Sequence, residues 1–336
     1  NTEQFVSLIK DDLLQNATRV IEMNPGLGMI TKELLDAGVP FIHLYEKEEK
    51  FVKRLNNLRD EFPKRLSVEH ANLYNISKMM NVDFIHSSNE PAFGPLGDVT
   101  GRKWEEPSSV QIIGATNKLK FIRHLILSTV FQTSFMMNER NLSILLLQIH
   151  LMFAEPRRVT SGNVMFQTIF NYKLFGSVER KAFVPWHRNR VMQNRRKKYA
   201  LDIYTDDINS LYVVKLEPKP DLFTLFKKKQ DLIHFWHFVR HNLYKPSYRV
   251  IPLIPNSFRK IMPGCGFDLI KKNYNIFTQF NDLTASQIYD LFMELQTWPE
   301  IKNSIFMSSA ADVRAAYILD SQLMKRHPML ATTMQR

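Results

Sequence analysis

Val20-Ile21-Glu22-Met23-Asn24-Pro25-Gly26-Leu27-Gly28-Met29-Ile30-Thr31 reads as a strand that runs through a glycine turn into a helix. Gly26 and Gly28 let a backbone approach a ligand closely, and the amides of a helix N-terminus favour a carboxylate or phosphate. A tight strand-to-helix turn also needs glycine for conformation alone, so the pair by itself leaves both readings open. A dinucleotide fold expects a third glycine three residues after Gly28, but Thr31 stands there, which disfavours hydride chemistry. Further on, Leu44-Tyr45-Glu46 ends a second strand, and a carboxylate there can accept hydrogen bonds from both ribose hydroxyls of a nucleoside. S-adenosylmethionine is compatible with this pattern.

Working outward, short apolar runs alternate with stretches of helical spacing, the pattern of a parallel sheet covered by helices. The spacing predicts an entry helix over Gln4 to Gln15, a strand over Arg19 to Met23, a helix from Ile30 to Ala37 closed by Gly38, and a strand from Phe41 to Glu46. Helix Glu48 to Phe62, strands Leu66 to His70 and Val110 to Ile113, helix Leu119 to Met137 and strand Ser143 to Gln148 follow. A helix around Asn163 to Leu174 and segments Val178 to Val184 and Ser210 to Lys215 complete an α/β doubly wound, Rossmann-like sheet. Residues 75–109, with Pro91, Pro95 and Pro107, read as a long loop or insertion. Pro218 to Pro220 marks the boundary between a domain of residues 1–218 and a small, mostly helical domain of residues 219–336. Helices are expected there over Leu222 to Tyr244, Tyr274 to Phe280 and Ala285 to Leu295, with a turn at Pro263-Gly264-Cys265-Gly266.

Glu22 to Thr31 resembles the E-x-G-P-G-x-G-x-L-T signature of the ribosomal RNA adenine dimethyltransferases, with Asn24 in place of the first glycine and Ile30 in place of Leu. The Asn-Pro-Gly variant is similar to the mitochondrial transcription factor B branch of that family. The similarity continues through Leu34-Leu35-Asp36-Ala37-Gly38, Leu211-Tyr212-Val213-Val214-Lys215-Leu216-Glu217-Pro218 and Asn273-Tyr274-Asn275-Ile276-Phe277. It implies a methyltransferase-type fold with a pocket at Glu22, Asn24, Gly26, Gly28, Glu46, Asn72 and Gly114 for S-adenosylmethionine. The family grips its adenine with Asn-Leu-Pro-Tyr after strand four, because transfer to N6 depends on orienting a neutral nucleophile. Here the matching tetrad is Ala115-Thr116-Asn117-Lys118, without the first amide or the last aromatic; Asn117, two positions late, is the one replacement on offer. Asn72 replaces the acid after strand three, and Gln148-Ile149-His150 replaces Gln-Lys-Glu after strand five.

The resemblance therefore implies a transcription initiation factor of the mitochondrial matrix nucleoid more than an enzyme. Its partners would be mitochondrial RNA polymerase, melted promoter DNA and the mitochondrial high-mobility-group transcription factor. The alternative is an active rRNA adenine N6-dimethyltransferase acting on mitochondrial small-subunit rRNA.

Charge agrees with a polyanionic partner: 45 Lys and Arg against 33 Asp and Glu give a formal +12. Between Arg180 and Lys198 there is no acid, and Trp186 is interleaved with Arg188, Arg190, Arg195, Arg196, Lys197 and Lys198. Cations for phosphates beside a ring for a base suit an unpaired strand; the alternative is a solvated loop with Trp186 in the core. On Leu222 to Tyr244, which carries Lys227-Lys228-Lys229, Phe223, Phe226, Ile233, Trp236 and Val239 form a core stripe by spacing. His234, His237 and His241 have helical offsets suited to zinc, but no acidic or cysteine ligand is near in sequence, and no metal is expected. The single cysteine, Cys265, excludes an intrachain disulfide. The apolar run from Ser143 to Ala154 contains Gln148 and His150 and is too short to span a bilayer, so no membrane partner is expected. The chain opens on Asn1 rather than Met, so a targeting segment is expected to have been cleaved or to lie outside this sequence.

Overall fold

A computed structural model describes residues 2–16, 19–72, 104–107, 110–115, 119–131, 143–147, 159–179, 210–226, 228–243, 247–257, 265–272, 274–302, 304 and 309. Seven strands form one sheet: β1 (Arg19–Met23), β2 (Ile42–Glu46), β3 (Leu66–His70), β4 (Val110–Ala115), β5 (Ser143–Leu147), β6 (Phe170–Glu179) and β7 (Ser210–Pro218). Their order is β3-β2-β1-β4-β5-β7-β6. The first five run parallel, whereas β7 is antiparallel to both β5 and β6. The order reverses between β1 and β4, and ligands of open α/β sheets bind at such a switch point, beyond the carboxyl ends of the strands.

Helices α1 (Thr2–Asn16), α2 (Met29–Asp36), α3 (Glu49–Glu61), α4 (Leu119–Phe131) and α5 (Ser161–Ile169) belong to this layer. β1 is buried on both faces, with Val20, Ile21 and Met23 in the core and the Glu22 carboxyl buried among them. α1 is tied to the sheet by a buried ionic cluster. Lys215 on β7, 5% exposed, donates to both Asp12 oxygens at 3.0 and 2.9 Å, and Gln111 on β4 donates to Asp12 Oδ2 at 3.0 Å. Gly38 ends α2 with φ 99°, as its sequence position predicts.

The later segment holds α6 (Leu222–Leu225), α7 (Lys229–Asn242), α8 (Val250–Ser257), α9 (Cys265–Lys271), a 3-10 turn at Phe280–Asp282, α10 (Ala285–Thr297) and α11 (Pro299–Lys302). α7 packs on α4 and α5, and α10 on α5 and α7, in a core continuous with one face of the sheet. Phe226, Ile233, Trp236 and Val239 are buried there, so the stripe is core. Of the stretch expected as a long loop, residues 75–103 lie outside the described residues, and Trp104 is buried; its indole donates to Lys219 O at 2.7 Å and its ring meets Phe223 edge-on at 4.9 Å.

Four expectations change. The helix expected over Asn163 to Leu174 ends at Ile169, because Phe170 onward pairs with β7. The expected helix over Leu222 to Tyr244 is two helices, α6 and α7. Tyr274 to Phe280 is a turn rather than a helix: the Asn275 side chain accepts from Phe277 N at 2.9 Å, an Asx turn that satisfies the backbone locally. Cys265 opens α9 instead of sitting in a turn. Unexpected from sequence, α8 carries Pro252 in its first turn, where the missing N–H leaves no bond unmade.

Candidate functional site

Strand register brings the candidate residues to one sheet edge. Met23 lies beside Tyr45 on one side and Gly114 on the other, and Glu46 lies beside His70. Asn24, Glu46, Asn72 and Ala115 therefore sit at or just beyond the carboxyl ends of β1 to β4, although they are far apart in sequence.

The loop after β1 takes three left-handed residues: Asn24 at φ 51°, Gly26 at 62° and Gly28 at 74°. Asn is the non-glycine residue that best tolerates this conformation, so Asn24 replaces a glycine without breaking the turn. Its N–H donates to Tyr45 O at 2.7 Å, and its Oδ1 is buried with no hydrogen-bond partner. The two glycines differ. A Cβ at Gly26 would meet nothing within 4 Å, leaving room for a ligand to approach the backbone. A Cβ at Gly28 would lie 2.8 Å from Leu55 Cδ2 and 3.1 Å from Leu58 Cδ2, so Gly28 is the point where α2 closes on α3.

Glu46 is 1% exposed and clamps the loop: Oε2 accepts from Gly26 N at 2.9 Å and Oε1 from Glu48 N at 2.8 Å. A carboxylate offers about four lone-pair sites, and these two amides take up one on each oxygen. Glu22, also buried, accepts from the Thr31 hydroxyl at 2.7 Å. Its pKa is pushed up to about 7, by burial first and by the neighbouring Glu46 carboxylate, against the lowering effect of the Thr31 bond. A ligand carrying positive charge at this edge would favour the ionised form. Thr31 was legible in sequence as a missing third glycine and as the last residue of the signature; its pairing with Glu22, which joins the two ends of that signature, was not.

Asn72 follows Ala71, whose N–H donates to Glu46 O at 3.0 Å, which sets Asn72 next to the clamp and half-buried. Gly114 is buried and Ala115 exposed at the end of β4. Thr116, Asn117 and Lys118 lie outside the described residues, as do Gln148 to His150 and the basic stretch with Trp186, Arg188, Arg190, Arg195, Arg196, Lys197 and Lys198.

On α7, His234 Nε2 contacts Gln230 Nε2 at 3.3 Å, and His237 Nε2 contacts Ser309 Oγ at 3.2 Å. Burial lowers the pKa of both rings. Among the described residues no three His, Cys, Asp or Glu are placed to hold a metal ion, and no helix is long and apolar enough to cross a membrane.

A seven-stranded sheet with β7 reversed and a glycine loop clamped by an acid at the end of β2 defines a Rossmann-like methyltransferase fold. Solved structures agree: 23S rRNA methyltransferase ErmE superposes with TM-score 0.53 at 14% identity, covering 88% of this chain and 98% of that one. A dimethyladenosine transferase from Plasmodium falciparum also gives 0.53, at 10% identity, covering 88% of this chain and 96% of that one. No family model matches the chain. In sequence the chain is a homologue of proteins named dimethyladenosine transferase 2, mitochondrial. It is 29% identical to the one from Drosophila melanogaster over 86% of this chain and 72% of the relative. It is 22% identical to the one from Rattus norvegicus over 69% of this chain and 60% of the relative. The match thus spans less than two thirds of the rat protein's length.

Proposed function

We propose that the chain is a mitochondrial transcription initiation factor, one that joins mitochondrial RNA polymerase and stabilises melted promoter DNA on a methyltransferase fold. The observation that carries this reading is the end of β4. Ala115 follows Gly114 at the sheet edge, so a methyl group stands where the rRNA enzymes present an amide to the adenine. Its homologues' name supports the mitochondrial location, here taken as the matrix nucleoid. The formal charge of +12 supports a nucleic-acid partner. Arg188, Arg190, Arg195 and Arg196 are assigned to phosphates of the displaced strand, with Lys197 and Lys198 beside them and Trp186 as a stacking residue. The mitochondrial high-mobility-group factor is assigned to the same initiation complex.

S-adenosylmethionine is assigned to the strand edge, with Glu46 on the ribose, Gly26 at the loop and Asn72 beside the base. When bound, it would supply an electrophilic methyl group, which Glu46, Gly26 and Asn72 would hold in place. The test is run-off synthesis by the cognate polymerase on closed duplex and on a template with a pre-melted bubble. Stimulation that is strong on duplex and weak on the bubble is expected. Equal effects on the two templates, or methyl transfer to a small-subunit rRNA hairpin without any stimulation, would replace this reading with the enzymatic one.

A further inference from the structure

Among the described residues ten large apolar side chains are exposed, and five of them fall within one short stretch: Tyr248 (44%), Phe267 (71%), Ile270 (43%), Ile276 (49%) and Phe277 (61%). Scattered exposed apolar residues need no explanation, but a concentration of this kind marks a surface that meets something. The backbone holds the stretch together. Leu269 is the buried residue of α9, so Phe267 and Ile270 fall on its outer side, as does Lys271. After α9, Tyr274 N–H donates to Leu269 O at 3.1 Å, folding the next turn back on the helix end. That turn is pinned in its own right: Val250 N–H donates to Thr278 O at 2.9 Å and Phe280 N–H to Tyr248 O at 3.1 Å. The exposed residues are therefore displayed on a fixed frame.

Charge indicates the occupant. From Lys245 to Phe277 the sequence has six Lys or Arg and a single acid, Asp268. The Arg249 guanidinium lies over the Phe277 ring, 5.2 Å from its centroid, and Arg249 is exposed. Lys271 pairs with Asp268 and Lys272 with Glu294, both at 3.3 Å, with the lysine side chains 77% and 57% exposed. Such solvent-exposed pairs hold weakly and exchange readily for another anion. The core of a protein interface is depleted in Lys, whereas rings interleaved with cations are the chemistry that holds an unpaired nucleic-acid strand.

We propose that α9 and the turn after it form a binding surface for an unpaired DNA strand, on which Phe267 and Phe277 stack against bases while Arg249, Lys271 and Lys272 meet phosphates. This rests on and deepens the melted-strand reading above, adding Arg249, Phe267, Lys271, Lys272 and Phe277 to the strand contacts assigned there. Its first test is direct strand binding. Anisotropy of a labelled oligo(dT) 20-mer with the full chain should show F267A/F277A binding at least about tenfold more weakly than wild type, because stacking is worth roughly 1 to 3 kcal/mol per base. An abasic strand of the same length should bind both proteins alike. R249A/K271A/K272A should flatten the salt dependence by up to about 2 units, which F267A/F277A leaves unchanged. All the substituted side chains are exposed, and thermal melting checks that both variants fold.

Unchanged oligo(dT) affinity in F267A/F277A, or equal loss on the abasic strand, overturns the stacking surface. If the variant instead loses only its capture of polymerase, or only its binding to phosphatidylcholine and cardiolipin vesicles, the patch is a protein or a membrane contact and the proposal falls. Failure of wild-type protein to stimulate promoter-dependent synthesis removes the transcription reading alone.

Discussion

The glycine-loop half of the sheet edge and the β4 half meet at the switch point, yet they are built under different constraints. On the loop side each residue is held by the fold itself. Gly28 admits α3, the Glu46 carboxylate clamps two backbone amides, and Thr31 satisfies buried Glu22. On the β4 side the chain reaches Ala115, which is exposed. A residue that holds the architecture cannot change without a cost in stability, whereas one that serves only to grip a base can change freely. A pocket of cofactor type can therefore outlast the chemistry it once accompanied, and its presence alone says little about methyl transfer.

The sharpest way to break this contrast is Gly28→Val. Left-handed backbone costs a branched residue about 1 to 2 kcal/mol and overpacking against Leu55 and Leu58 about 1 to 3 more, so denaturant unfolding should show a loss of roughly 2 to 5 kcal/mol. Gly26→Ala, with open space around it, should lose only the backbone share, about 1 kcal/mol. Equal stability of the two variants would mean that α3 does not depend on the glycine.

Next in size is a pH effect at Glu22. Its folded pKa of about 7 lies above the ordinary 4.5, so its contribution to stability is fully present below pH 4.5 and is lost as pH rises through 7. The loss is about 3 kcal/mol at about 1.4 kcal/mol per pKa unit. Glu22→Gln should remove that slope and be more stable than wild type at pH 8, as read from urea midpoints across pH. A parallel slope in the variant would place the titration elsewhere.

Glu46→Ala should come third. It strips the amides of Gly26 and Glu48 of their acceptor, a net loss of about 0.5 to 1.5 kcal/mol for each bond once water replaces it. Melting temperature should drop, S-adenosylmethionine affinity measured by calorimetry should fall with it, and the Glu22 midpoint should move down as the neighbouring carboxylate goes. Unchanged stability with lost affinity would make Glu46 a ligand contact and not a clamp.

The smallest expected effect lies across the switch point. Ala115→Asn, at an exposed strand end, should stay within about 0.5 kcal/mol of wild type in stability. A loss above 2 kcal/mol in unfolding experiments would show that β4's end is as constrained as the glycine loop.

Features that depend on local period and local chemistry could be read along the chain. β1 and β3 fall on the residues expected for them, and the capping boxes Thr160 with Asn163 and Thr284 with Gln287 start α5 and α10 through side chains three residues apart, a local signal that apolar spacing does not use. The glycine loop and Glu46 were legible for the same reason, since a left-handed turn and a strand-end carboxylate each announce themselves within a few residues. Tertiary structure alone decided the rest. The run from Phe166 to Leu174 suits helix or strand until β7 supplies hydrogen bonds to Phe170 and beyond. No spacing relates Asp12 to Lys215, or Gly28 to Leu55, because those partners meet only once the sheet has closed. The distinction between a glycine that makes room for a ligand and one that makes room for a helix rests on what lies across from it in space, and a linear pattern does not carry that information.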